Sequence, residues 1–169
     1  MPRIEFAELP DHGRLWVFPI DRPLTSAEAD RCLAVVDAFL ARWAAHGAPL
    51  RSGRELRHGR FLLIGVDEDA ESPSGCSIDA LVNQLRALGD EMGATFIEHS
   101  PVWYRAGEGI VSVSRSEFKV LAGEEKVTPD TVVFDTSLTR LSELRAGRLE
   151  HAVRDGWHGR AFFRLAPKS

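Results

Sequence analysis

Residues 60–66, Arg-Phe-Leu-Leu-Ile-Gly-Val, form a run that is apolar on both faces of an extended strand. Successive side chains of a strand point to opposite faces. A run without polar alternation therefore has to be covered on both sides. A second run, 14–20, has the same character: Leu15, Val17 and Pro19 lie on one face, and Trp16, Phe18 and Ile20 on the other. Pro19 marks the end of that strand or an edge. These two runs dictate the rest of the fold, because any architecture for the chain must put material above and below them.

Helical periodicity supplies part of that material. Thr25 and Glu28 have the spacing of a capping box, and Leu33, Val36, Phe39, Leu40 and Trp43 follow at helical spacing. Gly47 after His46 reads as the stop. Cys32 falls beside the apolar stripe and reads as a buried small hydrophobe. Residues 54–58 and 60–66 flank Gly59 as a hairpin. An acidic loop follows at Asp67, Glu68, Asp69 and Glu71. A second helix carries Ile78, Leu81, Val82, Leu85, Leu88 and Met92 and ends near Gly93. A hairpin is expected over 102–106 and 109–114. Ser114 and Glu117 cap a short helix, 131–135 is a strand, Leu138, Leu141 and Leu144 mark another short helix, and the tail 156–165 holds Trp157, Phe162 and Phe163. Residues 3–9 alternate weakly, with Ile4 and Phe6, as a short edge strand.

The order β-α-β-β-α-β over 14–114 predicts an α+β fold with a split βαβ, ferredoxin-like sheet. A chain of 169 residues is expected to be a single domain over 1–169, with a core of about 14–114 and a C-terminal extension over 115–169. That extension, or a dimer partner, is expected to cover the second sheet face.

Bulk composition excludes several classes of function. With 44% hydrophobic and 27% charged residues the chain is an ordinary globular one. A net charge of −4 argues against a general nucleic-acid or anionic-membrane binder. One basic run stands against this: Arg51, Arg54, Arg57, His58 and Arg60, read either as a solvated hairpin edge or as an RNA contact. Two cysteines make no disulfide framework. The start of the chain does not resemble a signal peptide, and no run approaches the length of a membrane span. The expectation is a cytoplasmic protein with reduced thiols and no membrane association.

Reactive groups gather in one place, Ser74-Gly75-Cys76-Ser77-Ile78-Asp79, at a strand-to-helix turn. Free N–H groups and the helix dipole favour negative charge there, and a thiol so placed can be made reactive. Cys76 is the candidate nucleophile and Asp79 the candidate carboxylate. Ser74 and Ser77 are candidate binding groups, one of them also the expected N-cap. A nucleophilic cysteine needs a base or a cation. His46, His58, His99, His151 and His158 are available, but none is tied to Cys76 by a local motif, and Asp79 opposes a thiolate. The other reading is a capped helix with Cys76 packed inward. The acidic loop with Asp79 has carboxylates for a divalent cation but neither EF-hand nor zinc spacing, so no metal and no cofactor is expected. Trp157-His158, among Arg154, Asp155 and Arg160, reads as a binding edge or as a tail anchor with His158 hydrogen-bonded.

Several segments together resemble one family: Leu15-Trp16-Val17-Phe18, Leu24-Thr25 with Glu28, Trp43-Ala44-Ala45-His46-Gly47 and Arg60-Phe61. Val66-Asp67-Glu68, the Ser74–Asp79 motif, Thr131-Val132-Val133-Phe134 and Trp157-His158 belong to the same pattern. The chain resembles, over nearly its whole length, a family of small uncharacterised bacterial proteins often labelled "ABC transporter ATPase". An ATPase of that class needs a Gly-x-x-x-x-Gly-Lys-Ser/Thr loop around the phosphates. The turn at 72–78 has one glycine and no lysine, so the label does not carry over, and the resemblance implies no catalytic residues.

No Gly-x-Ser-x-Gly elbow and no Gly-x-Gly-x-x-Gly loop occurs either. Without a complete catalytic constellation, the sequence favours a binding or accessory module for a protein or small-molecule partner, with homodimerisation open. The alternative is a small thiol- or carboxylate-dependent hydrolase or transferase using Cys76.

Overall fold

A computed structural model describes residues 3–96 and 101–164. His99 and the last residue of the tail 156–165 lie outside them. In chain order the elements are β1 (Arg14–Pro19), α1 (Ser26–Leu40), β2 (Ala44–Ala45), β3 (Ala48–Pro49), β4 (Arg51–Arg57), β5 (Phe61–Asp67) and α2 (Gly75–Met92). β6 (Val102–Ala106), β7 (Gly109–Val113), α3 (Arg115–Gly123), β8 (Val132–Phe134), α4 (Leu141–Arg145), β9 (Glu150–Ala152) and α5 (Trp157–Phe163) follow. The class is α+β. The chain divides into two compact units, Met1–Ile97 with Leu138–Arg145, and Glu98–Ser137 with Ala146–Ser169.

In the first unit the sheet order is β1-β5-β4, all antiparallel. The run over 61–67 is thus the central strand, and its first six residues are buried. Leu62, Ile64 and Val66 face a cluster with Cys32, Val36, Phe39 and Leu40 of α1 and Leu81, Leu85 and Leu88 of α2. Leu63 pairs with Val17 on the opposite face. There Gly65 sits against Leu9, Phe6 and Leu141, so closely that a Cβ would lie 2.7 Å from Leu9 Cδ1. The second face is therefore covered in part from the C-terminal segment, by Leu141 of α4, and in part by the turn at Phe6–Glu8. That turn replaces most of the edge strand expected over 3–9: one bridge, Arg3 to Ser52, remains.

Three strands keep the split βαβ order, but the fourth expected strand, 102–106, pairs in the second unit. The outer edge of β1 is met instead by short segments. Leu15 N–H donates to Thr139 O at 2.9 Å, and Ile20 bridges Phe96. β6 finds longer pairing elsewhere, with β7 along five residues and with Phe134 and Val133 of β8.

The capping box at Thr25 and Glu28 forms, with Glu28 N–H donating to Thr25 Oγ1 at 3.2 Å and Thr25 N–H to Glu28 Oε1 at 3.0 Å. α1 ends at Leu40 and not at Gly47. Gly47, at φ 77°, and His46, at φ 52°, instead turn the β2–β3 hairpin. Trp43 remains buried because its indole N–H donates to Ser77 O at 2.8 Å, and its ring meets Trp16 and Phe39. The helical spacing of Trp43 was thus a true core signal carried by a non-helical residue. Gly93, at φ 66°, closes α2 as expected.

The second unit holds a sheet of order β7-β6-β8-β9. Its core is Val102, Phe118, Val127, Val133 and Val153, with Tyr104, Val113, Leu121, Phe162 and Phe163 packed around them. Phe118 of α3 is the hub: its ring meets Tyr104 at 5.5 Å and Phe162 of α5 at 4.8 Å, both edge-on. Ser114 caps α3, accepting from Glu117 N–H at 3.1 Å.

Candidate functional site

Ser74 and Ser77 cap α2 reciprocally. Ser77 N–H donates to Ser74 Oγ at 3.1 Å, Ser74 N–H donates to Ser77 Oγ at 2.7 Å, and the Ser77 hydroxyl donates to Ser74 O at 2.8 Å. A serine thus does what a glutamate does in the usual capping box. Ser77 is buried, and its carbonyl accepts from Trp43, which ties the helix start to the core. Both serines are spent on backbone groups. Cys76 projects outward and is exposed rather than packed, and Asp79 is exposed beside it. Among the described residues no side chain bonds to either. His46 and His58 sit exposed in hairpin turns, at φ 52° and 57°. The turn offers an accessible thiol at a helix start, with no base hydrogen-bonded to it. Cys32, fully buried, has its thiol pushed up to about 11 by burial, against a smaller lowering from Arg54.

The basic run is largely neutralised. Arg54 makes a two-pronged bond to Asp37, both at 2.8 Å, Arg57 pairs with Glu55 at 2.7 Å, and Arg51 lies 3.5 Å from Asp67. Arg60 is buried and donates to Ile20 O at 3.1 Å. In the acidic loop, His12, Asp67 and Asp69 bring ligand atoms within 4.8 Å of one another; Asp79 is not among them. His12 Nε2 lies 2.9 Å from Asp69 Oδ2, and both side chains are mostly exposed. Asp67 in turn lies 3.5 Å from Arg51 and accepts from Asp69 N–H at 3.0 Å.

The second unit brings together residues that were not read as a group. Tyr104 and Val113 from the sheet, and Ser116, Glu117, Val120 and Leu121 from α3, line a hollow of about 440 Å³. A second hollow of about 550 Å³ shares Val113 and Glu117 and adds Pro101, Ser112, Ser114 and Arg115. Together they make a groove between β7 and α3, apolar at one end and polar at the other. Val120, 58% exposed, is the one large apolar side chain left in solvent among the described residues.

At the polar end the Arg115 guanidinium lies 5.0 Å over the Trp157 ring. Trp157 stacks on His158 at 3.8 Å, and His151 meets His158 at 6.2 Å. His158 is 1% exposed. Burial pushes its imidazole down to about 4, with Asp135 acting in the opposite direction and His151 and Arg115 adding to the lowering. Asp135 is also buried; its Oδ1 accepts from the Ser137 hydroxyl at 2.5 Å and from Ser137 N–H at 3.0 Å. His158 packs inward against the stacked Trp157 ring, and among the described residues its Nδ1 has no hydrogen-bond partner. Val120, Arg115 and Asp135 were missed by sequence reasoning. Asp135 ends the legible strand 131–135, and that polar residue closing an apolar strand was the available signal. No family model matches the chain, and neither a curated protein nor a solved structure matches it.

Proposed function

We propose that the protein is a binding module without ATPase activity, and that the β7–α3 groove takes a small ligand with an apolar body. The observation that carries this is the groove itself. Its apolar end is open, is lined by Tyr104, Val113, Val120 and Leu121, and is of the size that ligand pockets have. An apolar hollow with a few convergent polar groups suits a ligand with an apolar body. Arg115, Ser112 and Ser114 at the other end suit a polar or anionic head. The pairing of the 51–60 arginines supports a ligand other than RNA. Two free thiols support a cytoplasmic location. No helix among the described residues is long and apolar enough to cross a membrane.

The thiol-enzyme reading keeps one observation in its favour, the exposed Cys76 at a helix start. It lacks a bonded base. Titration with anilinonaphthalene sulfonate, an apolar body with an anionic head, separates the two. The expected result is saturable binding that weakens at least tenfold in Val120→Asp and is unchanged in Cys76→Ser. Absence of saturable binding, or binding indifferent to Val120→Asp, would contradict the proposal.

A further inference from the structure

Among the described residues Trp157 Nε1, His158 Nδ1 and His151 Nε2 of the second unit are buried without a hydrogen-bond partner. They belong to rings in mutual contact. Each such group is costly, and their gathering at one place calls for an explanation. His151 Nδ1 lies 2.8 Å from Ala152 O. A carbonyl only accepts, so Nδ1 donates to it, and Nε2 faces the interior without a partner among the described residues. Gly156 packs directly on that ring, where a Cβ would overlap it. Trp157 and His158 open α5, a helix of seven residues. The helix is held by ring contacts, Phe162 on Phe118 and Arg115 over Trp157.

We infer that α5 is an acid-released clasp: protonation of His158 detaches Trp157–Phe163 from the second unit and frees Arg115, which lines the polar end of the groove. A buried imidazolium needs a counter-charge or water. The groups that face His158 are Asp135 after β8, His151 of β9 and Arg115 of α3. Asp135 is the one anion among them, and its Oδ1 already holds two bonds from Ser137. His151 and Arg115 oppose a second positive charge. Opening the clasp hydrates all three orphaned nitrogens at once, and it breaks no hydrogen bond made by Trp157 Nε1 or His158 Nδ1. The sign follows from proton binding. The closed state holds His158 near 4, whereas a hydrated histidine titrates near 6.5. The open state therefore binds the proton first, and opening grows as pH falls from 6.5 to 4, by roughly 80-fold. Release would also free Arg115 from the indole face, which links pH to the groove.

Amide hydrogen exchange of the full chain, corrected for intrinsic rates, tests this. Between pH 7 and pH 4 protection of 157–163 should fall by roughly 100-fold while 61–67 keeps its protection. In His158→Phe the drop should vanish. Unchanged protection of 157–163, or an equal loss over 61–67, would overturn the inference, and so would a pH-dependent drop that persists in His158→Phe. Should that variant fail to fold, the wild-type His158 titration by NMR decides. A value well below that of an ordinary histidine supports the clasp, and one near 6.5 overturns it.

Discussion

Replacing Trp43 by Phe should destabilise the first unit by about 2–3 kcal/mol, although the change keeps an aromatic ring in the core. The magnitude has two parts. The indole N–H donates to Ser77 O at 2.8 Å in a buried setting, and losing a net hydrogen bond of that kind costs about 1 kcal/mol. The smaller ring also removes roughly 40 Å³ of side chain from a site that is 3% exposed, and unfilled core volume costs about 1 kcal/mol at that size. Weakened edge contacts with Trp16 at 6.0 Å and Phe39 at 5.8 Å contribute a few tenths to 1 kcal/mol. Urea unfolding read by circular dichroism gives the difference, with the slope m held constant. A loss below about 0.5 kcal/mol in Trp43→Phe would refute the reasoning, since it would mean that neither the bond nor the packing holds the turn to α2.

Three further outcomes follow from the same structure. Iodoacetamide in native buffer should label exposed Cys76 within minutes and leave Cys32 intact until the protein unfolds, because Cys32 is fully buried with its thiol pushed up to about 11; comparable rates by mass spectrometry would contradict this. Glu28 is held down to about 2, first by Arg22 at 2.5 Å and then by the Thr25 N–H. A depressed carboxylate stabilises above its unfolded pKa and loses that contribution as pH falls from about 4.5 to 2, so Glu28→Gln should remove part of the acid sensitivity of α1 measured by circular dichroism; an unchanged acid profile would contradict it. Purified protein should show no saturable ATP hydrolysis, since the turn before α2 spends Ser74 and Ser77 on capping and has no lysine; turnover abolished by one substitution would contradict that.

The central strand, the two long helices and their N-caps were legible because each rests on a local rule: two-faced apolarity at 60–66, Thr25 with Glu28, and Ser74 or Ser77 before an apolar period. Less local features were not. Gly47 obeys the rule for a helix stop, yet the chain had already left the helix at Leu40, and tertiary burial of Trp43 preserved the helical spacing without the helix. The strand at 102–106 has the pattern of a fourth ferredoxin-like strand. Its hairpin with 109–113 was legible and forms, but its other partner, β8, lies far along the chain, and no local signal shows that pairing. β9, at three residues, is too short for alternation to be read. Of the site, Cys76, Trp157 and His158 were singled out as residues with chemistry. The groove was invisible, because Tyr104, Val113 and Val120 are ordinary apolar residues whose convergence depends on how α3 lies along the sheet.

The measurement that tests the binding reading most directly is a two-dimensional amide NMR titration of the full chain with anilinonaphthalene sulfonate at neutral pH. The account predicts saturable shifts concentrated at Tyr104, Val113, Arg115, Val120 and Leu121, with 74–79 unmoved. Shifts centred on Ser74–Asp79, or none that saturate, would contradict it.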